Sequence, residues 1–138
     1  MCRTVEKVSV QNYGDVLKAA DGLITEDQIR TVEADAVVDT GATYLCLPPK
    51  VIKKLGLVFH TEVTVKTANG DADRRLYLGA KAEIQGRSAL VTVMENDLKT
   101  PPLIGYIILE ELDLVVDPRT KTIIPNPTHE GKWTADLY

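Results

Sequence analysis

Asp39 is the side chain best set for chemistry: it follows the apolar run Ala36-Val37-Val38 and precedes the small residues Thr40, Gly41 and Ala42. An apolar strand end holds a carboxylate rigidly, and the turn behind it stays open. Gly41, with no Cβ, lets a backbone loop or a bound chain pass close to the acid, while the Thr40 hydroxyl can bond neighbouring backbone. The chemistry this supports is acid–base work by a fixed, accessible carboxylate. Other reactive types are poorly placed. Cys46 lies within Tyr44-Leu45-Cys46-Leu47, where a buried small hydrophobe is the simpler role than a nucleophile. His60 and His129 are isolated in the sequence, so no metal site, Cys-His pair or cofactor is expected.

Strands must position Asp39. Val32, Ala34, Ala36 and Val38 recur at period two with Thr31, Glu33 and Asp35 between them, the pattern of a half-buried strand. It loses alternation at Ala36-Val37-Val38, as a strand does on entering a core. Thr4 to Val10 and the stretch Gly22 to Val38, broken at Thr25-Glu26-Asp27, predict two early strands. Pro48 to Gly56 reads as a short helix, with proline at its start and glycine after its last turn. Thr61 to Thr67 is β-prone and ends at Ala68-Asn69-Gly70-Asp71, where Asn-Gly suits the positive-φ positions of a hairpin. Arg74 to Gln85 and Ser88 to Met94 predict two more strands joined at Gly86-Arg87. Beyond Pro101-Pro102 come Leu103-Ile104-Gly105, one or two helical turns over Ile107 to Glu111, a strand at Leu114-Val115-Val116, and a hairpin around Asp117-Pro118-Arg119-Thr120.

The 138 residues suit one compact domain. A hydrophobic fraction of 44% with only 5% aromatics predicts an aliphatic, β-rich core. The net charge of −4, with cations scattered, argues against nucleic acid as a partner. No eighteen-residue apolar run and no basic start before an apolar stretch occur, so the expectation is no membrane and a cytoplasmic address. Cys2 and Cys46 are expected to stay reduced. Arg30, Arg74, Arg75 and Arg87 read as solvated or ion-paired surface groups with no assigned role, and Tyr77 as a cross-strand packing residue.

A chance Asp-Thr-Gly turns up in roughly one chain in fifty of this length, so the tripeptide alone decides little. Its context is more specific: two apolar residues before it, Ala42 after it, and Leu103-Ile104-Gly105 downstream. The segment resembles the active-site motif of aspartic peptidases. The downstream triplet is similar to the apolar-apolar-glycine segment that crosses behind the active-site loop in that clan, and the order of elements between Gly22 and Ile124 matches the single-domain, retropepsin-like members.

The resemblance implies an all-β fold: a small, closed, barrel-like acid-protease half with one or two short helices. The peptidase domain would span residues 1–124. Residues 125–138 would form a tail, open between a loose end and a contribution to a dimer. Asp39 would be the catalytic acid. Thr40 would interlock the loops of two copies, Gly41 would receive substrate backbone with Ala42 completing the loop, and Thr67, Ala68, Asn69, Gly70 and Asp71 would be a flap. Leu103, Ile104 and Gly105 would support the loop from behind. Because the clan's chemistry uses two carboxylates and the chain has one such motif, the implied enzyme is a homodimeric endopeptidase acting on peptide or protein substrates. Two departures from retroviral enzymes stand out. Thr43 and Tyr44 occupy positions usually acidic, and Tyr106 stands where arginine is common. They keep a second reading in view, a catalytically silent dimeric peptide-binding or assembly module on the same fold.

Overall fold

The computed structural model describes residues 3–137, so Cys2 lies outside the described residues. Its strands are β1 (Val5–Asn12), β2 (Thr31–Val38), β3 (Leu45–Leu47), β4 (Val58–Thr67), β5 (Gly70–Ile84), β6 (Arg87–Glu95), β7 (Leu103–Ile104), β8 (Leu114–Asp117) and β9 (Thr122–Pro125). Three short helices accompany them: α1 (Tyr13–Ala20), α2 (Pro49–Leu55) and α3 (Tyr106–Glu111). Seven strands form one sheet in the order β1-β2-β7-β3-β6-β5-β4, and β1 also pairs with β5. That extra pairing closes β1, β2, β7, β3, β6 and β5 into a ring and leaves β4 as the outer arm of a hairpin. The fold is the small all-β barrel expected. Among the described residues, no helix is long and apolar enough to cross a membrane.

Inside the ring lie Val8, Val10, Ala36, Leu45, Leu47, Ile84, Val93 and Ile104, capped by Ile52 and Leu55 of α2 and Ile108 and Leu112 of α3. No aromatic ring enters this fully buried set. The alternation of β2 is real: Ala36 is buried and Val32, Ala34 and Val38 pack against the core, while Thr31, Glu33 and Asp35 are exposed. α2 ends as its sequence demands, with Gly56 left-handed at φ 65°.

Three details differ from the sequence-based expectation. The hairpin tip is centred on Ala68-Asn69, and positive φ falls on Gly70 alone, at 110°. Thr67 explains the shift: its Oγ1 accepts from Asn69 N and donates to Gly70 O, an alternative to the Asn-Gly geometry. The β5–β6 turn is Gln85-Gly86, with φ of 53° and 82°, so it begins one residue earlier than Gly86-Arg87. Finally, α1 was not anticipated. Asn12 caps it, its Oδ1 accepting from Asp15 N at 2.9 Å, while its Nδ2 donates to Leu55 O at 2.8 Å.

Arg30 and His129 also acquire partners. Arg30 donates from its backbone N, Nε and Nη2 to the Asp15 carboxylate at 3.0, 2.8 and 3.0 Å, tying the entry of β2 to α1. His129 Nδ1 lies 2.6 Å from Asp113 Oδ2, so the histidine that looks isolated in the sequence is bound in space. Around it, the chain after β9 folds back onto its own domain. Trp133 Nε1 donates to Glu111 O at 3.1 Å, and Arg87 donates to the carbonyls of Leu112, Asp113 and Gly131 at 2.9, 3.1 and 3.0 Å.

Candidate active site

β2 delivers Asp39 to one end of the ring. Val37 and Val38 pair in parallel with Leu103 and Ile104 of β7, and Asp39 N donates to Ile104 O at 2.9 Å. The chain then turns sharply. Ala42 N donates to Asp39 O at 3.0 Å, and Gly41 N donates to Asp39 Oδ1 at 3.0 Å, fixing the carboxylate over its own loop. A Cβ on Gly41 would come within 3.2 Å of that oxygen, so glycine leaves the acid uncrowded. Asp39, Thr40 and Gly41 are all exposed in the single chain.

Behind the loop runs the segment entering α3. Tyr106 N donates to Ala42 O at 2.9 Å and Ile107 N to Thr43 O at 3.1 Å. This crossing is tight: a Cβ on Gly105 would meet Tyr44 O at 2.4 Å, Ala42 O at 2.7 Å and Thr43 C at 2.7 Å. Gly105 is therefore required by space, because its own backbone, φ −86° and ψ −177°, suits any residue. Cys46 sits beneath, fully buried, its Sγ 3.5 Å from Tyr44 O. Burial, aided by the negative charge of Asp39, pushes its thiol up to about 12, so it stays protonated and unreactive at neutral pH.

A cleft of ≈ 690 Å³ opens in front of Asp39. Its floor is Asp39 and Gly41 to Tyr44, with Leu103; one wall is Val63 to Thr67 of β4 with Arg74 of β5; the other is Met94, Asn96, Asp97 and Thr100. Thus the fold brings Asp39, Gly41, Ala42, Thr67 and Leu103 to one cavity. Thr40 and the hairpin tip, Ala68 to Asp71, do not line it, and Ile104 and Gly105 lie behind the loop. Tyr77 likewise lies outside the lining, packing edge-on to Phe59 with ring centroids 6.0 Å apart and its hydroxyl 2.7 Å from Glu95.

Sequence reasoning missed the Asn96–Thr100 wall. Asn96 is buried, with Nδ2 donating to Pro101 O at 2.8 Å and its backbone N to Leu47 O at 2.9 Å. Asp97 Oδ1 accepts from Lys99 N, Thr100 N and Thr100 Oγ1, and these bonds hold its carboxyl below the usual range. Asn-Asp ahead of Pro-Pro is a turn signal that could have flagged this loop. Among the described residues, no group of three or more His, Cys, Asp or Glu is arranged to hold a metal ion.

The family model described as "gag-polyprotein putative aspartyl protease" matches residues 25–111, a span that runs from the entry of β2 through the end of α3 and holds the Asp39 loop, the hairpin and the Gly105 crossing. A search of curated proteins finds no match. On the strength of the family match, which covers more than half of the sequence, the chain belongs to the retropepsin-like aspartyl protease family.

Proposed function

We propose that two copies of this chain associate about a twofold axis beside Asp39 and hydrolyse peptide bonds. The observation that carries the reading is a single Asp-Thr-Gly motif whose carboxylate is held, exposed, at the floor of a cleft with space for an extended peptide. One carboxylate is half of what such chemistry needs. Two in contact cannot both ionise cheaply, so they share a proton. The ionised Asp39 takes a proton from water as the oxygen attacks the amide carbon, while its protonated mate hydrogen-bonds the carbonyl oxygen. The leaving nitrogen is protonated next, and the C–N bond breaks.

Association is supported by what surrounds the loop. Tyr106 and Ile107 are each 40% exposed and are fastened to the loop through the carbonyls of Ala42 and Thr43. They offer apolar surface next to the acid that a second copy would cover. Thr40, exposed and outside the cleft, is free to reach the partner's loop. The β4–β5 hairpin, whose arm walls the cleft, would close over bound peptide and exclude water.

Solution mass combined with cleavage of a peptide library tests this. A dimer that cleaves, is silenced by Asp39→Asn, is inhibited by a statine-type mimic and shows a bell-shaped pH dependence is the expected result. A monomer that cleaves nothing would overturn it. A dimer that binds peptides without cleaving them would favour the silent binding module, a reading that the Thr43, Tyr44 and Tyr106 departures keep distinct.

A further inference from the structure

Arg74 lies on the inward face of its strand, where it borders the cleft. Along β5, Ala72 and Arg74 are half-buried and Leu76 is buried, whereas Asp71, Asp73 and Arg75 are exposed. The even positions therefore point inward. Arg74 stands directly opposite Val63 of β4, and both line the cleft that holds Asp39. Arg75, on the outer face, lies 4.5 Å from the Phe59 ring centre and is accounted for there.

No ion pair among the described residues holds Arg74 in place, although Glu62, Asp73, Glu95 and Asp97 border it in a second pocket of ≈ 310 Å³. Among the described residues its guanidinium makes one side-chain hydrogen bond, Nη1 to Asp73 O at 3.0 Å, and no ion pair. Lys66, the other cation of the cleft, is paired with Asp71 at 3.6 Å. Asp97 shares the cleft, and the positive charge of Arg74 reaches both it and Cys46 beneath Asp39. Asp97 Oδ1 is engaged by Lys99 and Thr100, and Asp97 makes no ion pair with Arg74. Arginine is charged at every working pH and presents a planar fork of donors that fits a carboxylate. A fork that faces a cavity and is in no ion pair can take an anion that a ligand brings.

We infer that Arg74 is a specificity-determining residue that takes a carboxylate of the bound peptide, whether on an acidic side chain or at a free C-terminus. The inference rests on the peptide-cleavage reading. In a symmetric dimer each half of the cleft carries one Arg74, so an acidic residue is accepted on either side of the scissile bond.

The test starts from a peptide that the wild type cleaves, remade with Glu or Gln at each flanking position and with an acid or amide C-terminus. Wild type should favour Glu over Gln in kcat/KM by roughly tenfold at one position on each side, the value of one charge-assisted pair. Arg74→Gln should bring that ratio near one, Arg74→Lys should retain part of it, and Arg74→Glu should turn the preference toward Lys. A preference confined to the acid over the amide terminus identifies the C-terminal source. A wild-type ratio retained in Arg74→Gln, with far-UV circular dichroism unchanged, overturns the inference and leaves the peptidase reading intact. If wild type cleaves nothing, the peptidase reading fails. Fluorescence anisotropy of the Glu and Gln peptides on Asp39→Asn then still decides Arg74, since equal affinities would refute it.

Discussion

Gly105→Ala isolates the contact that seats the Asp39 loop. Because Gly105 has ordinary φ and ψ, the substitution brings no backbone strain, and its whole cost is steric. The new Cβ would stand 2.4 Å from Tyr44 O, 2.7 Å from Ala42 O and 2.7 Å from Thr43 C. All three are backbone atoms that no rotamer change can move. Relief requires the two segments to separate, which stretches the Tyr106 N to Ala42 O and Ile107 N to Thr43 O bonds, now 2.9 and 3.1 Å. Overpacking of this kind costs about 1–3 kcal/mol, and two weakened hydrogen bonds add about 0.5–1.5 kcal/mol each. The expected loss is therefore about 2–6 kcal/mol, read as a lower urea midpoint at unchanged m. The folded fraction should also lose activity beyond its reduced population, because the displaced loop carries Asp39. A midpoint within about 0.5 kcal/mol of wild type, the range of ordinary surface substitutions, would refute the steric argument. Wild-type kcat in the folded variant would refute the link from crossing to acid.

Three further outcomes follow from contacts elsewhere in the chain. Bonds from Arg30 hold Asp15 at about 2 instead of 3.8, a folded value depressed below the unfolded one, so its stabilisation is present above pH 4 and fades as pH falls through 2. At about 1.36 kcal/mol per unit the shift gives at most about 2.4 kcal/mol; Arg30 is 49% exposed, so we expect about 1–2 kcal/mol lost in Asp15→Asn at pH 7, vanishing near pH 2. A pH-independent difference in denaturation midpoints would contradict this. In a Cys2→Ser background, Cys46 should alkylate at pH 8 only as fast as the protein unfolds, and labelling at the rate of free cysteine would show its burial to be wrong. Arg87→Ala should release the segment after β9, costing about 1–3 kcal/mol, shifting the emission of Trp133, the sole tryptophan, to the red and speeding tryptic cleavage after the already exposed Lys132; unchanged emission and proteolysis would remove Arg87 from that role.

Local pattern carried some of this structure and not the rest. Period-two alternation marks β2 because one face is buried along its length, and Pro48 with Gly56 brackets α2 because both ends use residue-specific backbone geometry. α1 escaped detection because its stability is tertiary: eight residues are too few to hold a helix alone, and its anchors are Leu55 and Arg30, 43 and 15 positions from Asn12 and Asp15. Arg74 escaped for the opposite reason. The alternation Ala72, Arg74, Leu76 was visible, but nothing local says that the inner face of that arm borders a cavity. The Asn-Gly pair misplaced the hairpin tip because the Thr67 hydroxyl competes for the same turn.

The site itself exists only once distant segments meet. Asp39 is fixed by Ile104, and its loop by Gly105, Tyr106 and Ile107, more than sixty positions along the chain. The ring closes through β1 against β5, with Ser9 opposite Glu83. Contacts of such separation incur their loop-closure entropy before any of them stabilises the fold, so the ring should form slowly and cooperatively. Mutations in the domain but away from the crossing, such as Asp15→Asn in α1, then change how many molecules have a site and leave kcat per folded molecule alone. Substitutions at the crossing or in the loop change the geometry around Asp39 itself. Activity normalised to folded fraction therefore separates the residues that hold the barrel together from the few that aim Asp39.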